Sequence, residues 1–280
     1  MDTARKGFNP FWLLGRSGAY AVLIVGLIGT LLPFFYIIVS SLKTEAELRK
    51  TPPDFFPAAP TLKYYEAIVN DDRIPLERNL MNSVIVSLSR VAITLFTSSY
   101  AGYIFAKYHF RGKNVAFGLI LIQIMIPFQV VMIPNYLLTV RLGMIDSLWA
   151  LIIPFMVDAY GIFMMKQFIE ALPAELMDAA RIDGASEFGI YWRIVLPLLK
   201  PALGTLGLVT FIGSWNNFMA PLVVMRSAEN YTLPLALRSL QSPVNTEWGA
   251  LMAGSAIATL PLIVLFVVAS RQLIAGLTTG

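Results

Sequence analysis

The sequence predicts an all-α integral membrane protein with six membrane-spanning helices, and three observations carry that prediction. Only 14% of the 280 residues are charged and 57% are hydrophobic, whereas a soluble domain carries about 25% charge. So few solvated groups cannot cover a globular surface, which leaves the bilayer as the solvent. The charges that exist fall mostly between six long apolar runs. The third observation is an exclusion. There is no cysteine and one histidine, His109, so disulfides, thiolate metal sites and cysteine nucleophiles are ruled out. A histidine-based metal site or triad is not expected, and His109 reads as a solvated interfacial residue. The net charge of +4 is scattered among apolar runs, so nucleic acid is not an expected partner.

A helix needs about 20 apolar residues to cross the hydrocarbon layer. Its backbone groups must be satisfied within the segment, so such runs are helices rather than buried strands. An N-terminal arm, 1–17, carries Arg5, Lys6 and Arg16 and leads into the first span at about 18–42. That run is longer than the roughly 7–15 residues of a signal-peptide core, and Val39-Ser40-Ser41-Leu42-Lys43 is a poor cleavage site, so it reads as a retained anchor. Phe8, Phe11, Trp12, Leu13 and Leu14 beside bases suit an interfacial segment against membrane lipid. The second span, about 79–106, contains one charge, Arg90, and the third, about 114–140, contains none. The fourth, about 147–165, contains Asp158, and the fifth and sixth, about 201–225 and 248–270, are uncharged. Residues 18–280 therefore read as one membrane domain.

Lysine and arginine in short connections set the orientation. The arm is basic, and the second-to-third link holds Lys107, Arg111 and Lys113 without an acid. The links on the other side, 141–146 and 226–247, balance bases with acids. Both termini are expected in the cytoplasm.

This orientation makes 166–200 a cytoplasmic loop. Pro173 suits a first helical turn, and Glu175 and Asp178 favour the positive end of the helix dipole. Gly184 is a natural terminator and Ser186 a cap for the next helix. Leu176, Ala179, Ala180 and Asp183 recur at helical spacing, placing small residues where another backbone can approach closely. The pattern Asp178-Ala179-Ala180, Gly184, then Ile194, Leu196 and Pro197 resembles the EAA signature of ABC importer permeases, with aspartate where that family usually has glutamate. Further matches resemble the binding-protein-dependent sugar permeases of the maltose-permease class: Ser41-Leu42-Lys43, Pro60 to Tyr65, Asn82-Ser83, Tyr103 to Lys107, Pro127, Phe163 to Phe168, Trp215 to Phe218, Pro221-Leu222 and Gly276 to Gly280.

The resemblance implies the type I ABC importer permease fold in a prokaryotic inner membrane, with a coupling helix that docks on a cytoplasmic ATPase. Carried over, the ATPase-coupling residues are Glu175, Asp178, Ala179, Ala180, Asp183, Gly184, Ala185, Leu196 and Pro197. It also implies a second homologous permease subunit, an extracytoplasmic solute-binding protein facing 226–247, and a sugar substrate; as a bare sequence, 226–247 reads equally as an ordinary connection. No G-x-x-x-x-G-K-[ST] motif is present, so ATP and its Mg ion are expected on the partner ATPase, with no cofactor in this chain. Polar and aromatic residues at membrane depth are candidates for the solute path: Asn82, Gln123, Gln129, Asn135, Trp215, Asn216 and Asn217. Amides suit sugar hydroxyls and aromatic faces suit sugar rings; the same residues also serve as interhelical packing groups. Arg90 and Asp158 favour a structural role, paired with each other or with a partner subunit. Two alternatives stay open: the same machinery carrying a non-sugar polar solute such as a glycerol phosphate diester, and a transporter driven by an ion gradient.

Overall fold

The structure is a computed structural model. It describes the backbone of residues 10–242 and 246–278, with side chains over 18–242 and 246–268. The apolar arm from Phe8 to Leu14 and the ending from Gly276 to Gly280 thus have side chains outside the described residues. Among the described residues every regular element is helical.

Three helices are long and apolar enough to cross a bilayer unaided: α1 (Pro10–Ser40), α4 (Leu76–Lys107) and α15 (Trp248–Thr278). Between α1 and α4 lie two short helices, α2 (Glu45–Leu48) and α3 (Lys63–Val69). Thr44 starts α2 through a reciprocal capping box with Glu47, which satisfies two otherwise orphaned N–H groups.

The other apolar runs are bent pairs. The run expected over 114–140 is not one rod: α5 (Lys113–Met125) and α6 (Phe128–Arg141) meet at 105°. Pro127 lacks an N–H and pushes Ile126 into extended backbone, φ −85° and ψ 114°, so the α5 ladder stops there. The fourth run joins α7 (Trp149–Ile152) and the 3₁₀ turn Ile153–Phe155 to α8 (Ala159–Glu170) at 44°. Asp158 makes that restart by accepting the Gly161 N–H at 3.1 Å. After the loop helices α9 (Glu175–Ile182) and α10 (Glu187–Ile190), a π-helical turn, Tyr191–Val195, leads into α11 (Leu196–Leu198). The chain then turns by 79° into α12 (Lys200–Trp215). The span predicted over 201–225 is also interrupted. At about 1.5 Å per residue, the 16 residues of α12 fall short of the hydrocarbon layer's thickness of about 30 Å. Asn216 to Phe218 break the helix before α13 (Met219–Val224), and α14 (Leu233–Arg238) lies in the following link.

The central element is α4, which packs most extensively against α8 and α12. Gly102 permits the first approach, since a Cβ there would stand 2.8 Å from Met165 Cβ and 2.9 Å from the Lys166 nitrogen. One buried cluster, at the C-terminal end of α4, gathers Tyr103, Met165, Ile169, Met177, Ile190, Tyr191 and Leu206. A second joins α3, α14 and α15 around Ile68, Leu233 and Leu251, and a third joins α7 and α13 through Leu151 and Val224. By contrast, the face of α1 is apolar and bare; Val22 is 72% exposed. Such surface suits lipid or another membrane subunit, not water.

Candidate functional site

In the loop over 166–200 the exposed element is α9. Its end is built by Gly184, whose φ of +80° is a left-handed conformation that glycine adopts without Cβ strain. The Ala185 N–H donates to the Ala180 carbonyl at 2.9 Å and the Gly184 N–H to Arg181 at 3.0 Å, the Schellman pattern that closes a helix. Ser186 then starts α10 by accepting the Gly189 N–H at 3.2 Å. Met177 and Ala180 face inward, with Ala180 9% exposed. Glu175, Leu176, Asp178, Ala179, Asp183, Gly184 and Ala185 are exposed. Ile182, at 88% exposed, is an apolar side chain standing free at the loop's tip. Leu196 and Pro197 lie in α11, beyond the π-helical turn, where Leu196 packs against the buried cluster that holds Met177 and Ala180.

Behind α9 lies a polar cluster that sequence patterning does not reveal. The Glu187 carboxylate accepts from Arg181 Nε at 2.8 Å and Nη2 at 3.3 Å, from the Tyr103 hydroxyl at 3.2 Å, and from the Tyr108 hydroxyl. Arg181 also donates to Asp178 at 2.7 Å. Charge-assisted bonds from Arg181, then the Tyr108 hydroxyl, hold the Glu187 carboxyl down at about 2. The only sequence trace of this cluster is an acid six residues after an arginine, across a glycine break; nothing local marks the tyrosines.

The proposed path residues separate into groups. Gln123 and Asn135 line a cleft of about 330 Å³ together with Asp158, Tyr160 and the rings of Phe128 and Phe155. Amides, a hydroxyl and aromatic faces therefore converge between α5, α6 and α8. Gln129 is exposed on α6 outside that lining. Asn82 serves elsewhere, because its amide donates to the carbonyls of Glu229 at 2.8 Å and Tyr231 at 3.0 Å. Trp215 is 2% exposed, stacked on Phe211, and its indole donates to the Ala258 carbonyl at 3.0 Å. Asn216 is exposed at the end of α12, and Asn217 accepts the Ala220 N–H at 3.2 Å. The Trp-Asn-Asn cluster is thus split between core and surface. Among the described residues Arg90 and Asp158 form no ion pair. The Arg90 guanidinium lies 4.4 Å over the Phe155 ring.

On the opposite side, Asp146 takes a left-handed φ of 59°, which aspartate tolerates better than most residues. Its carboxylate accepts from the N–H groups of Arg226 at 2.9 Å and Ser227 at 3.0 Å, and from the Ser227 hydroxyl at 2.5 Å. Together with Asn79 and Asn82 it fixes the segment that begins at Arg226.

Three long apolar helices, three bent apolar pairs and a cleft between α5, α6 and α8 are the architecture of a membrane-embedded subunit. Residues 98–278 match the family described as "Binding-protein-dependent transport system inner membrane component", and the chain belongs to that family. It is 40% identical to the arabinooligosaccharides transport system permease protein AraQ of Bacillus subtilis (strain 168), with 89% of each chain covered. It is 30% identical to the lactose transport system permease protein LacG of Rhizobium radiobacter, covering 92% of this chain and 93% of that one. A crystal structure of a bacterial ABC transporter that imports the acidic polysaccharide alginate has the same fold, with TM-score 0.82, 23% identity, and coverage of 96% of this chain and 99% of that one. Family membership displaces the ion-gradient alternative.

Proposed function

We propose that this chain is the permease subunit of an ATP-driven importer for a sugar or oligosaccharide, worked by a separate ATPase that docks on α9. The observation that carries the reading is the docking element itself. A short helix, closed by Gly184 and backed by Met177 and Ala180, leaves Leu176, Ala179 and Ile182 exposed, and the distribution of lysine and arginine supports a cytoplasmic position for it. ATP and Mg belong to the ATPase. A second, homologous permease completes the path, and a solute-binding protein delivers the sugar to the external face around 226–242. Both termini lie in the cytoplasm. The sugar assignment rests on the names of AraQ and LacG and on the amide and aromatic lining of the cleft.

The test is affinity purification of the tagged chain in mild detergent from its native host. An ATPase should co-purify and hydrolyse ATP. Ala179→Arg, on the exposed face, should release it at least tenfold without lowering the yield of folded chain. An ATPase that is retained at the wild-type level would remove the docking role of α9.

A further inference from the structure

We propose that Glu187 is a positioning residue that ties the docking helix α9 to the central helix α4, so that a push on α9 moves α4 as one body with it. The inference rests on the importer reading above but adds a route for the force, which no family motif supplies.

The route is a set of named contacts. Arg181 belongs to α9, and its guanidinium meets Glu187 with two nitrogens. Two nitrogens against one carboxylate resist rotation as well as separation, unlike a single contact. The same carboxylate accepts the hydroxyls of Tyr103, on the last turns of α4, and of Tyr108, the residue that ends it. One carboxylate therefore joins three chain segments that Gly184 and the loop would otherwise leave articulated. The ring of Tyr108 meets that of Tyr103 edge-on at 5.5 Å, and Tyr103 contacts Tyr191 at 5.8 Å. Tyr191 in turn shares a hydrogen bond of 2.8 Å with Ser99, one turn further along α4.

A second tether sits at the other end of the loop, where Lys107 of α4 donates to the Leu172 carbonyl at 2.7 Å. With α4 held at both ends of the segment containing α9, the direct linkage does not run through the backbone of α10. That backbone is the weaker path: it begins after a left-handed glycine and ends in a π-helical turn, a geometry frequent at functional sites.

The absence of native cysteine permits a direct distance measurement. Nitroxides on Ala174→Cys, at the head of α9, and on Leu88→Cys, on an exposed face of α4, report the spacing of the two helices by pulsed electron resonance in nanodiscs. In the chain alone, Glu187→Gln and Tyr108→Phe should each widen the distance distribution at least twofold. Lys166→Gln, which breaks a different ion pair, should leave it narrow. In the complex with its ATPase, ATP plus vanadate should leave the spacing unchanged in the parent and shift it in both variants, while ATP hydrolysis stays within threefold. Equal widths in the chain alone, or an equal ATP response in all variants, would overturn the role of Glu187. Failure of the parent chain to bind an ATPase would count against the functional reading, while the widths in the chain alone would still decide the tie.

Discussion

Gly184 illustrates how one residue sets a functional element. A Cβ there would meet nothing within 4 Å, so any substitution acts through the backbone alone, where a left-handed L-residue costs about 1–2 kcal/mol. The series Gly184→Asn, Gly184→Ala, Gly184→Val should therefore lose protection progressively at the end of α9, read by hydrogen exchange of the Ala185 amide. Equal exchange in all three would contradict the conformational account. Glu187 makes a second prediction, with a definite sign. Its carboxyl is depressed from 4.5 to about 2, so its contribution is fully present above about 4.5 and is lost as pH falls toward 2. Exchange protection of α9 should be flat from pH 8 to 5 and drop only in the acid range; a drop near neutrality would contradict the assignment. Gly184 was legible in the sequence because its role is local. The Glu187, Asp146 and Asn82 networks were not, because their partners lie in distant segments, as with Asn79 and Ala228, 149 residues apart.

Among the elements, the contact of α4 with α8 is open to disruption by a single change. Gly102→Leu would force a side chain against Met165 and the backbone at Lys166. Overpacking of this kind costs about 1–3 kcal/mol, so the variant should lower the midpoint of thermal unfolding in detergent by several degrees. Gly118→Leu, where a Cβ meets nothing within 4 Å, should leave it in place. Charge boundaries located the apolar runs because charge is expensive in hydrocarbon, and each run overlaps one or more helical segments. They could not reveal how each run is interrupted. A proline at 127 can end a helical ladder, but a 105° turn depends on what α5 and α6 then pack against. Likewise, Trp215 looked available to a sugar ring, whereas it fills the space between α12 and α15. An aromatic residue at membrane depth carries no local mark that separates these two fates.

Over the whole molecule, two polar regions sit at opposite ends of a broken-helix core. The Arg181 and Glu187 cluster lies beside α9, and the Asp146 and Asn82 clamps hold the segment that begins at Arg226. The cleft with Gln123, Asn135 and Asp158 lies between them. Its aromatic and amide lining predicts that Asn135→Ala and Gln123→Ala lower solute uptake by the assembled importer at least fivefold with ATP hydrolysis retained, whereas Gln129→Ala, outside that lining, leaves uptake unchanged. Uptake that is insensitive to all three would move the path elsewhere. The central claim, that α9 is a cytoplasmic surface driven by a separate ATPase, is tested most directly by a photo-crosslinker placed at Ala179 in living cells. The account predicts one dominant adduct, with a cytoplasmic nucleotide-hydrolysing protein, and no reaction of Ala179→Cys with a membrane-impermeant thiol reagent added outside. Labelling of that cysteine from outside intact cells, or adducts with extracytoplasmic proteins alone, would contradict it.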